Sequence, residues 1–66
     1  MQLPAHAIKP CDKVARLFRS NPSRIVEVFD AFPAARNGQT KVIFFTGGDE
    51  MGVVIVDSEL QVGILN

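Results

Sequence analysis

The sequence predicts an α+β fold, with two short helices forming a helical hairpin packed on a three-stranded antiparallel β-meander, in the order α-α-β-β-β. Three observations carry this reading. Apolar residues recur at i, i+3, i+4 spacing on both sides of Ser20-Asn21-Pro22-Ser23; two later runs, Val42-Ile43-Phe44-Phe45 and Val53-Val54-Ile55-Val56, are apolar at every position; and a Gly47-Gly48 pair separates those runs.

Residues 1–9 have no period and include Pro4, which predicts an extended arm. Leu3, Ala5, Ala7 and Ile8 make that arm apolar enough to act as a lid. Pro10 opens a helical pattern in which Cys11, Val14, Leu17 and Phe18 share one stripe, giving a first helix over 11–20. The residue before a proline is pushed out of the helical region, so Ser20-Asn21-Pro22-Ser23 breaks the pattern. Asn21 can then cap a second helix, with Pro22 at its first position, where no amide donor is missed. Ile25, Val28, Phe29 and Phe32 follow at i, i+3, i+4, i+7, and Pro33 stops the helix, which spans 22–32.

Ala34 to Thr40 is a polar connection containing the turn dipeptide Asn37-Gly38. Strands are expected over 41–46, 52–57 and 60–65. Gly47-Gly48-Asp49-Glu50 joins the first two as a hairpin loop, because glycine reaches the positive φ of tight reversals. Asp57-Ser58-Glu59 forms a second turn. Leu60, Val62 and Ile64 alternate with Gln61 and Gly63, so the third strand reads as a half-exposed edge. The chain is one small domain, 1–66, made of the arm, a helical hairpin over 10–33 and a meander over 41–65.

Neither apolar run can turn a face to water without exposing large side chains, and two short helices cover only one face. A domain of about 60 residues buries only about 60% of its unfolded surface and is marginal alone. Cys11 is the sole cysteine and His6 the sole histidine, which excludes an intrachain disulfide and leaves too few ligands for structural zinc. Oligomerisation is the remaining reinforcement, and a homodimer is expected. The composition, 47% hydrophobic and 21% charged with mean hydropathy +0.18, is that of a folded protein. No run of about 18 apolar residues could span a membrane and the first ten residues lack a secretory pattern, so a cytoplasmic site is expected. Charge is zero in total but divided. All seven basic residues precede position 42, opposed there by Asp12, Glu27 and Asp30, which gives +4; Asp49, Glu50, Asp57 and Glu59 give the rest of the chain −4.

The chemistry-bearing residues do not assemble into a catalyst. Pro10 separates His6 from Cys11 and no acidic orienter lies near, so a thiolate-imidazole pair is not expected, and Cys11 belongs to the apolar stripe instead. Asp49-Glu50 is a solvated loop pair in a chain too small to build a glycosidase cleft. Gly47-Gly48 lacks the lysine and following helix of a phosphate loop. The expectation is no enzyme, no cofactor, no metal and no small-molecule substrate.

The segment Val14-Ala15-Arg16-Leu17-Phe18-Arg19-Ser20-Asn21-Pro22-Ser23-Arg24-Ile25-Val26-Glu27-Val28 resembles a DNA-binding helix-turn-helix, with Ala15, Phe18, Ile25 and Val28 at the small and apolar positions of that pattern. Arg19 stands where glycine is usual in the turn, and Ser20 where an apolar residue is. The resemblance implies that Asn21, Ser23, Arg24, Val26 and Glu27 face the major groove, that Arg16 and Arg19 reach phosphates, and that the strands form a wing.

Two functions are therefore expected. The first is a small non-catalytic protein-interaction module, a regulator or inhibitor of a larger macromolecule that resembles the accessory proteins of phages and mobile elements. It would bind through an apolar sheet face made of Val42, Phe44, Val53 and Ile55, or of Ile43, Phe45, Val54 and Val56. The alternative is a DNA-binding transcriptional regulator using residues 14–28 and a β wing, with Arg16, Arg19, Asn21, Ser23 and Arg24 as contacts.

Overall fold

A computed structural model describes residues 1–65, and among them the chain is all-β. Its strands are β1 Gln2–Pro4, β2 Lys13–Ala15, β3 Val26–Pro33, β4 Gln39–Gly47, β5 Glu50–Asp57 and β6 Gln61–Ile64, with one 3-10 turn at Ala5–Ala7. They form a single antiparallel sheet in the order β1-β6-β2-β3-β4-β5. Asn66, the last residue of the domain read from the sequence, lies outside the described residues.

The expected helices over 11–20 and 22–32 are overturned, and the α+β class falls with them. Cys11 and Arg16 have φ of 72° and 64°, left-handed values that interrupt any helix through the first segment. Between them Val14 pairs with Val26 on one side and Ile64 on the other. In the second segment, Val26 and Val28 are buried while Glu27 and Phe29 are exposed, which is the period of a strand. Branched and aromatic side chains lose rotamer freedom in a helix and fit a pleated surface, and this stretch is rich in them.

The helical spacing has a physical origin in a β-bulge. Val28 pairs with Phe44 but the next register is Asp30 with Ile43, so Phe29 is an extra residue. The slip reverses the alternation. Phe29 and Phe32, three apart, therefore reach the same side of the sheet, imitating the i, i+3 signature. The helix-turn-helix resemblance is corrected likewise: residues 14–28 are the end of β2, a loop and the start of β3, with no helix to enter a groove.

The β4–β5 hairpin stands where the glycine pair predicts it, with Gly47 and Gly48 at φ of 149° and 56°. The meander does not continue beyond it. β6 leaves β5 and inserts between β1 and β2, where Val62 pairs with Leu3 and Gly63 with Gln2 and Ala15. The third strand is thus interior, and the edges are β1 and β5. A Cβ on Gly63 would stand 3.7 Å from that of Ala15, an ordinary contact across the ladder.

One hydrophobic core draws on every strand but β1. Val14 from β2 and Val62 from β6 join Val26, Val28, Val42 and Phe44 from β3 and β4 in a single buried cluster. With no helix available, the sheet curls and covers its own inner face. Ala5, Ile8 and Leu17 complete the cluster, so the N-terminal arm is built into the core rather than laid over the opposite face. A clasp fixes the curl: the Ser58 N–H donates to the Gly38 carbonyl at 2.8 Å and the His6 N–H to the Ser58 carbonyl at 3.2 Å. The hydroxyls of Thr40, the buried polar residue, and Ser58 lie 2.7 Å apart, which satisfies Thr40 away from water.

This arrangement separates two valines of the same hairpin. Val42 is 0% exposed and Val53 is 55% exposed. Val42→Ala is expected to lower unfolding free energy by about 2 kcal/mol, from two lost methyl groups and the cavity left behind. Val53→Ala is expected to change it by less than about 0.5 kcal/mol. Urea unfolding of both variants checks the contrast, and equal losses would contradict the curl.

Candidate interaction surface

The outer side of β3, β4 and β5 follows from alternation and register alone. Lys41 pairs with Ile55, Ile43 with Val53 and Phe45 with Met51 across β4 and β5. On the other side of β4, Phe32 pairs with Lys41 and Asp30 with Ile43, and the bulge adds Phe29. The result is one apolar face made of Phe29, Phe32, Ile43, Phe45, Met51, Val53 and Ile55. Large side chains on it stay open to water: Phe29 is 49% exposed, Met51 50%, Val53 55% and Ile55 52%.

Contacts within the face hold its side chains in place. The Phe29 and Phe45 rings meet edge to face, with centroids 5.8 Å apart and an interplanar angle of 89°. Lys41 places its ammonium 5.9 Å from the Phe32 ring centre, so a single cation stands among the apolar groups. Glu27 and Asp30 lie on the same side of β3, with Lys13 of β2 opposite Glu27, and Glu50 and Asp57 end β5, so the border is mixed toward β2 and acidic elsewhere.

Each of the two residue sets named from the sequence is divided by the hairpin register. Ile43 and Phe45 share the open face with Val53 and Ile55, whereas Val42 and Phe44 share the inner face with Val54 and Val56. Counting by twos within one strand separates faces, but joining two strands requires the pairing across the hairpin. The inner set has its own fit. A Cβ on Gly52 would stand 2.7 Å from Cζ of Phe44, so the glycine leaves the space that the ring occupies.

Phe29, Phe32 and Met51 belong to the open face and escape the sequence reading, the two phenylalanines because the helical pattern assigns them to a core. The alternating Val26-Glu27-Val28-Phe29 was the available signal.

Arg16, Arg19, Asn21, Ser23 and Arg24 are brought together on the exposed loop between β2 and β3. The loop is held by the Arg16 N–H donating to the Pro22 carbonyl at 3.0 Å, and the Ser23 hydroxyl reaches Oδ1 of Asn21 at 3.2 Å. Arg24 lies over aromatic rings, its guanidinium 4.7 Å from the Phe18 centre and 5.6 Å from that of Phe44. Those two rings meet edge to face at 5.2 Å. Arg24 therefore roofs the core.

A groove of about 780 Å³ runs between this loop and β5, lined by Phe18, Val54, Val56 and Leu60 with Arg16 and Arg19 beside them. Among the described residues no cluster of three or more His, Cys, Asp or Glu side chains could hold a metal ion, and no helix is long and apolar enough to cross a membrane. No family model, curated protein or solved structure matches the chain.

Removing the Arg24 roof is expected to cost about 0.5–1 kcal/mol, the value of an exposed cation–π contact. Comparing thermal unfolding of Arg24→Ala and Arg24→Lys with the wild type checks this, with lysine retaining part of the stability. An unchanged midpoint for Arg24→Ala would assign the contact no role.

Proposed function

We propose that this chain is a small non-catalytic interaction module that regulates or inhibits a larger protein by seating it on the open face of β3, β4 and β5. The observation that carries the reading is the continuity of Phe29, Phe32, Ile43, Phe45, Met51, Val53 and Ile55 on one uncovered face. Contiguous apolar surfaces are kept open in folded proteins chiefly where something binds. Two aromatic anchors at its centre are the type of residue that dominates binding energy. Asp30, Glu50 and Asp57 at its border favour a target whose apolar patch has a basic margin, since unlike rims favour encounter and like rims oppose it. A reducing interior, where exposed Cys11 stays a free thiol, is the setting that suits this role.

The test begins with affinity capture from a native lysate and continues with direct titration of the purified captured protein. Phe29→Ser and Val53→Lys are each expected to weaken its affinity at least about tenfold, or about 1.4 kcal/mol, while the fold remains intact by near-wild-type urea midpoints. Equal affinity for the wild type and both variants would remove the open face as the binding surface.

A further inference from the structure

We infer that a second copy of this chain pairs with the free edge of β5, in antiparallel fashion, and that exposed charges at the two ends of that strand set the pairing. The inference concerns the sheet edge and stands apart from the target seated on the open face.

β5 is the last strand of the sheet and has a neighbour on one side only. It is eight residues long, with no proline and no basic residue, and Met51, Val53 and Ile55 along it are each about half exposed. Alternate residues of such a strand leave N–H and C=O groups pointing outward, and natural edges are normally blunted by lysine, proline or brevity. The other edge is protected in that way. β1 has only three residues, one of them Pro4.

Charge supplies the orientation. Asp49 and Glu50 occupy the hairpin tip where β5 starts, whereas Arg16 and Arg19 border the groove beside its other end, residues Val54 to Asp57. All four are exposed, and none forms an ion pair within the chain among the described residues. A two-fold axis through the pairing of Val53 with its own copy reverses one β5 against the other. The acidic tip of each copy then lies along Val56 and Asp57 of its partner, beside the partner's pair of arginines, and symmetry makes the contact twice. Asp57 and, just beyond it, Glu59 stand at the same end and reduce the attraction of Arg16 and Arg19 for the tip. With the axis perpendicular to the sheet, Met51, Val53 and Ile55 of both copies remain on one side, so pairing joins the two open faces into one platform instead of covering them.

Sedimentation velocity over a dilution series tests the wild type, an R16E/R19E variant, a D49K/E50K variant and an equimolar mixture of the two variants. The wild type is expected to dimerise, and each variant alone to dimerise at least about tenfold more weakly, because like charges then meet at both ends. In the mixture both contacts are again between opposite charges, so a heterodimer of near-wild-type affinity is expected. A wild type that stays monomeric at its solubility limit would overturn the proposal. So would dimers that ignore the charge reversals but are lost in Phe29→Ser, since these would associate face to face. Failure of target binding with the charge pattern intact would leave edge pairing standing, so the two readings fail separately.

Discussion

The curl of a single sheet around its own core is the constraint on which the rest of the molecule depends. Among the described residues there is no α-helix, so strands, one 3-10 turn and loops must cover the apolar surface. β2, β6, the 3-10 turn and the Leu17 loop pack on the inner face of β3, β4 and β5, as the shared cluster of Val14, Val62, Ala5, Leu17, Val28, Val42 and Phe44 records. Among the described residues no element packs on the outer face. The face stays open because these strands are apolar on both sides and the described elements pack against one of them.

The Val28–Asp30 bulge decides what that face contains. Without the extra residue, Phe32 would follow Val26 and Val28 inward, and the outer side of β3 would keep fewer aromatic groups. With it, Phe29 is placed against Phe45 and Phe32 beside Lys41. Asp30 participates locally, accepting the Ala31 N–H through Oδ1 at 2.8 Å, which supplies an acceptor where the ladder is irregular. One inserted residue thereby converts a core-directed phenylalanine into part of a surface.

The bulge also explains which parts of the fold were legible in the sequence. The hairpin around Gly47-Gly48 was readable because its strands are apolar and its turn chemistry is local. That these strands are apolar on both faces was readable for the same reason, although the division of Val42, Ile43, Val53 and Val54 between faces required the register. Helices were the wrong inference because Cys11, Val14, Leu17 and Phe18 imitate a stripe, while the positive φ of Cys11 and Arg16 is a tertiary outcome at residues that seldom adopt it. The placement of β6 between β1 and β2 was invisible, since pairing across about sixty positions leaves no local mark on either segment. Its Val62 and Gly63 looked like a half-exposed alternation and are in fact the inner ladder.

Charge in this molecule acts through position rather than amount. The excess of +4 before residue 42 and −4 after it cancels, so the whole chain exerts little long-range attraction on a polyanion. Locally the halves do not neutralise one another, because Arg16 and Arg19 stand beside one end of β5 and Asp49 and Glu50 at the other. Exposed pairs of this kind are individually worth about 0–1 kcal/mol and weaken with salt. Such energies are too small to hold two surfaces together. They are sufficient to choose among alignments of a strand whose apolar residues, Val53 to Val56, would accept several registers almost equally. In the proposed pairing, hydrogen bonding and burial along the edge supply the affinity, and the charged ends supply the direction.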